Sequence, residues 1–144
     1  MITGKAFLYS LLEFDKDVKH KLEMLAELKS LAIGTTASTD KEPVQSSGSQ
    51  DKLGGIVAKI VDLETDINIA TDELCDRRKL AKEIIFQISN EKYQNVLYDL
   101  FILCNPLYMV AENHDMTYDA CKGYRNRAIV IFDELFEPYK TTYC

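Results

Sequence analysis

The sequence predicts an all-α protein: a long antiparallel helical hairpin of coiled-coil type, followed by a small helix-turn-helix module. Three observations lead there. Apolar residues recur at three- and four-residue steps over two long stretches, residues 5–33 and 55–89. A segment rich in Ser, Thr, Gly and Asp, residues 34–54, separates them. The last third, residues 90–144, holds shorter helical patterns broken by Asn105-Pro106 and by three residues at His114 to Met116.

The N-terminal helix is assigned to residues 1–33. Leu8, Leu11, Val18, Leu22, Leu25 and Ala32 form its stripe, Asp15 and Lys29 interrupt it, and no Pro or Gly falls between Lys5 and Ile33. The opening MITGKAFLYSLLEF has one Lys and an apolar patch. It lacks a small-residue cleavage site, and Glu13, Asp15 and Asp17 follow, so it reads as a helix start and not a signal peptide. Residues 34–54 offer almost nothing to bury and read as a flexible linker.

From residue 55 to 89, Ile56, Ile60, Leu63, Ile67, Ala70, Leu74, Ala81, Ile84 and Ile88 keep an alternating four–three spacing, with Arg77 at the one position that breaks it. A helix of that length spans about 50 Å and cannot cover its own stripe. Its expected partner is residues 5–33, folded back across the linker, and a self-associating coiled coil competes for the same seam.

In residues 90–144, Ser89 or Asn90 can cap a helix starting at Glu91, whose apolar face is Tyr93, Val96, Leu97, Leu100, Phe101 and Leu103. Pro106 ends that helix and can open the next, about Leu107 to Asn113. A last helix follows from Thr117 to about Phe136, and Pro138 stops it. A short helix, a tight turn and a longer helix make a helix-turn-helix candidate. Ala111 is small where the helices cross, Val110 precedes it, and Met116 plugs the core. Thr117 is the N-cap, and Cys121, Tyr124 and Ala128 face inward. Asp115 stands where Gly commonly supplies a left-handed residue, which Asp tolerates better than most. His114, beside it, reads as a half-exposed imidazole with no visible partner.

Bulk properties narrow the function. The chain has 144 residues, 47% of them apolar, which suffices for a core. No apolar run reaches the length of a membrane span, so no membrane partner is expected. The net charge of −6 argues against a general nucleic-acid coat but leaves room for a local reading surface. Cys75, Cys104, Cys121 and Cys144 form no CxxC pair, and His20 and His114 stand far from zinc-type spacing, so no metal and no cofactor is expected. There is no Gly-rich phosphate loop and no nucleophile elbow, and the acids between Asp62 and Asp76 alternate with the stripe as a solvated helix face does. The protein is not read as an enzyme.

Lys122, Arg125 and Arg127 are three of only five Lys/Arg beyond residue 90. By charge alone they are solvated side chains, with Asp115 and Asp119 near enough to neutralise them. The stretch NPLYMVAENHDMTYDACKGYRNRAIVIFDEL, however, resembles region 4 of the sigma-70 type factors. The wider arrangement, including EPVQSSGSQDKLGGIVAKIVDLETDINIATDEL, is similar to small sigma-like regulators of Gram-positive phages and prophages, related to the ArpU/RinA-type late-gene activators; the likeness covers about residues 20–136. It implies a phage-encoded transcription regulator working in the cytoplasm of a bacterial host. Double-stranded DNA would be one partner and host RNA polymerase another, with homo-oligomers forming through the helices 5–33 and 55–89. The helix 117–136 would read promoter DNA through Thr117, Tyr118, Asp119, Lys122, Arg125, Asn126 and Arg127. A small-terminase-like packaging oligomer and a protein-docking module are the competing readings; oligomer size separates a packaging ring from a regulator.

Overall fold

A computed structural model describes the backbone of residues 2–41 and 47–143 and the side chains of residues 2–34 and 51–142. The described chain is all helical: α1 (Gly4–Lys41), α2 (Ser47–Ile85), α3 (Glu91–Leu97), a π-helical segment (Tyr98–Ile102), α4 (Leu107–Asn113), α5 (Tyr118–Phe136) and a 3₁₀ segment (Glu137–Tyr143). No helix among the described residues is long and apolar enough to cross a membrane.

The interval expected as a linker, residues 34–54, is helical wherever its backbone is described: α1 runs on to Lys41 and α2 begins at Ser47. Residues 42–46, and the side chains of 35–50, lie outside the described residues. Once a long helix exists, each further residue adds a hydrogen bond without a new nucleus, which outweighs roughly 1 kcal/mol for a glycine. At the other end α2 stops at Ile85, earlier than the stripe suggests, because the chain turns at Phe86 and Gln87. The Gln94 side chain donates to the backbone carbonyls of Phe86 and Ile88 there and closes the turn.

Two compact units form, and their boundary falls inside both long helices rather than at the linker. The first comprises residues 1–15 and 74–144. Phe7, Leu8 and Leu11 of α1 are completely buried in it, as are Phe132 and Phe136 of α5. Phe7 stacks on Phe136 at 5.0 Å and on Phe132 at 6.5 Å between ring centroids. Removing one such ring costs about 3–5 kcal/mol. The expected separation of an N-terminal helix from a C-terminal module therefore does not describe this core. Arg77, the break in the stripe of α2, lies 4.5 Å from the Phe14 ring centroid and donates to Ser10 Oγ at 3.0 Å. Asp15, expected as an interruption, accepts from Arg78 Nη2 at 2.9 Å.

The second unit, residues 16–73, consists of the outer arms of α1 and α2. Ile56, Leu63, Ile67 and Ala70 are buried along α2, while Val18, Leu25, Leu28 and Ala32 of α1 are half-buried. Leu22 departs from the expected stripe and stands 47% exposed. An open recess of about 370 Å³ lies between Met24, Glu27, Leu28 and Leu31 of α1 and Lys59, Asp62, Leu63 and Asp66 of α2.

Candidate nucleic-acid interface

The three helices of the C-terminal third are set by local caps. Asn90 has extended backbone and its side-chain oxygen accepts from Lys92 N at 2.9 Å, starting α3. The helix from Glu91 does not continue uniformly to Asn105. It widens into the π segment, where Leu103 N donates to Tyr98 O, and Cys104 then takes a left-handed φ of 58° that turns the chain toward Pro106. Leu103, expected on the buried face, is 53% exposed, because the extra residue of the π turn rotates it outward.

Between α4 and α5 the turn is a Schellman motif. Asp115 has φ 54°, its amide donates to Glu112 O at 3.2 Å, and Met116 N donates to Ala111 O at 2.8 Å. Asp115 thus takes the left-handed place that the sequence assigns to it. Ala111 is 4% exposed and Val110 is fully buried, as the crossing of two helices requires. Thr117 caps α5, its Oγ1 accepting from Ala120 N at 3.1 Å. His114 does have a partner: its Nε2 lies 2.6 Å from Asp99 Oδ2, tying the turn to the π segment. Sequence spacing did not reveal that pair, because the register of Asp99 depends on the inserted π residue.

The inner face of α5 is Cys121, Ala128, Ile129, Phe132 and Phe136. Thr117, Tyr118, Asp119, Lys122, Asn126 and Arg127 are exposed. Arg125 departs from the expected outer face and is half-buried; its Nε and Nη2 donate to Asn126 Oδ1 at 3.1 and 3.0 Å, so these two side chains hold each other. Lys122 and Arg127, five residues apart, sit about 140° from one another around the helix and so serve different flanks.

Arg127 belongs to a cluster that sequence reading missed. Its Nε donates to Tyr93 OH at 3.2 Å, and its guanidinium carbon lies 5.1 Å from the Tyr124 ring centroid. Lys92 Nζ stands 5.8 Å from the same centroid, and the Tyr93 and Tyr124 rings meet edge to face at 5.7 Å. Gly123 leaves room for this, since a Cβ there would sit 3.3 Å from Arg127 Nη1. Lys92 and Arg127 are both exposed, and two exposed cations on one tyrosine suit a phosphate. The rarity of cations beyond residue 90 was the one signal pointing to Lys92. Residues 90–144 nevertheless carry five Lys/Arg against eight Asp/Glu, so the favourable charge is local.

Burial disfavours ionisation of the two thiols near this region. Burial pushes the Cys121 thiol above the ordinary 9.0, more than Arg125 nearby lowers it. Cys104 is raised in the same way, with the Asp15 carboxylate adding to the effect of burial. Cys75, Cys104 and Cys121 are free, and no group of His, Cys, Asp and Glu among the described residues could hold a metal ion. No protein-family model matches the chain, and no curated protein and no solved structure matches it either.

Proposed function

We propose that this protein is a DNA-binding transcription regulator that reads double-stranded DNA with the first half of α5. The observation that carries this reading is the helix–turn–helix from Leu107 to Phe136, with Asp115 left-handed in its turn and Lys122 exposed on the second helix. An α-helix fits the major groove, and its N-terminal residues meet base edges. Tyr118, Asp119 and Lys122 then face bases, while Arg127, joined by Lys92, meets the phosphate backbone. Asn126, tied to Arg125, plays a lesser part, and Thr117 has its oxygen engaged in the cap, leaving its hydroxyl proton to donate outward. The resemblance of residues 105–135 to sigma region 4 supports a phage regulator that also touches RNA polymerase. Selection of bound fragments from genomic DNA, followed by anisotropy at about 50 and about 200 mM salt, tests the reading, because a true phosphate footprint weakens with salt. Absence of binding at the lower salt rejects it.

A second reading is favoured by the excess of acids in residues 90–144 and by Tyr118, 54% exposed, and Val130, 58% exposed, on α5. In it the same module docks a protein, and a polymerase or phage-particle pull-down replaces the DNA assay.

A further inference from the structure

The arms of the second unit carry another line of residues beside the seam that joins them. On α1, Leu22, Ala26, Lys29 and Ile33 follow a four–three–four spacing; on α2, Val57, Val61, Glu64 and Asn68 follow the same spacing. Such spacing places each set along one face of its helix. All eight residues are exposed, and the large apolar ones are strongly so: Leu22 47%, Val57 47%, Val61 58% and Ile33 71%. They are distinct from Ile56, Leu63, Ile67 and Ala70, which close the hairpin.

The recess between the arms sets their register. Its lining runs from Met24 through Leu28 to Leu31 on α1 and from Asp66 through Leu63 to Lys59 on α2, which in an antiparallel pair levels Met24 with Asp66, Leu28 with Leu63 and Leu31 with Lys59. Helical periodicity then puts the two exposed lines together on the opposite side of the hairpin. Leu22 comes level with Asn68, Ala26 with Glu64, Lys29 with Val61, and Ile33 with Val57. The result is one shallow apolar face with a single cation on one arm and a single anion on the other. Among the described residues, neither Lys29 nor Glu64 makes an ion pair within the chain.

We propose that this face docks the same face of a second copy, giving a four-helix bundle of two hairpins that point the same way. Charge selects both the partner and the orientation. Residues 16–34 carry four Lys against three acids, whereas residues 51–73 carry two Lys against six acids. A two-fold axis along the hairpin lays each α1 on the α2 of the other copy, positive arm on negative arm. It also brings Lys29 within one turn of Glu64 of the second copy, twice by symmetry, and Ile33 onto Val57 of the second copy. The opposite orientation would lay the two acidic α2 arms on each other. This inference does not depend on DNA binding.

Sedimentation of the full chain between about 1 and about 100 μM tests it. The expected species has twice the 16.4 kDa of one chain. Lys29→Glu and Glu64→Lys each set like charges against each other in the homodimer, and each should weaken association at least about tenfold. Mixed one to one, the two variants restore both opposite-charge contacts, so the mixture should recover the wild-type association. An effect acting within one chain would not recover on mixing. Val57→Asp, set against the apolar Ile33 of the second copy, should weaken the dimer and remain dissociated in any mixture. A wild type that stays monomeric throughout, a larger closed ring, or a mixture that fails to recover would overturn the proposal.

Discussion

The amide of Gly4 donates to Asp133 Oδ1 at 2.5 Å, joining the first turn of α1 to α5 across 129 residues of sequence. The contact is close because Gly4 has no side chain: a Cβ there would lie 2.7 Å from Asp133 Cα and 3.1 Å from Phe136 Cβ. Gly4→Ala therefore has to push backbone away from backbone. It should cost about 1–3 kcal/mol and lower the melting temperature by roughly 3–9 °C. Asp133→Asn keeps an acceptor and should cost less than Asp133→Ala. Calorimetry of the three variants checks the order.

Ala111→Leu places a large side chain where α4 and α5 cross, at a residue 4% exposed whose carbonyl also receives the Met116 amide. Overpacking of this kind costs about 1–3 kcal/mol. The variant should lose amide-exchange protection in α4 and the first half of α5, while α2 between residues 56 and 70 keeps its own. Undiminished protection at the crossing would show that the turn is not held as described.

Ile67→Asp introduces a carboxylate at a position 8% exposed on the seam of the second unit. A carboxylate buried among the apolar side chains of the seam costs about 3 kcal/mol or more. Far-ultraviolet circular dichroism should show helix lost from the arms at a lower temperature than in the wild type. Val61→Asp, on the exposed line, should leave that transition far less affected at concentrations where the chain is monomeric.

The thiols should separate by reactivity. Site-resolved alkylation at mildly alkaline pH should modify exposed Cys75 first, half-buried Cys104 later and fully buried Cys121 last. Both shifted thiols have folded values above 9.0. The unfolded chain thus loses these protons first, so their contribution to stability is intact below pH 9 and declines as pH rises further. Denaturant midpoints across that range measure the decline, and Cys104→Ser with Cys121→Ser should remove part of it.

On the DNA-reading proposal, Lys122→Ala should weaken binding by about 1–3 kcal/mol and relax preference at one base position. Arg127→Ala and Lys92→Ala should each weaken all sequences alike and reduce the salt slope by about one unit. Arg125→Ala, changing a half-buried side chain already bonded to Asn126, should do much less. Equal losses at Lys122 and Arg125 would contradict the assignment of faces on α5.

What the sequence determined by itself is what neighbouring residues decide among themselves. Asn90 and Thr117 cap helices because their side-chain oxygens reach amides two or three residues on, and Asp115 turns left-handed because its short polar side chain tolerates it. Leu107–Asn113 and the start of α5 were legible for that reason, as was the buried stripe of α2. Tertiary structure decided the rest. Phe7 joins Phe132 and Phe136, Arg77 finds Phe14, and Arg78 finds Asp15, all across more than 60 residues of chain that no local pattern registers. The Lys92–Tyr124–Arg127 cluster needs α3 beside α5, and the His114–Asp99 pair needs the π turn. Leu22 looks like core in a periodicity plot, since spacing tells which residues share a helix face; only the partner helix decides which face is covered.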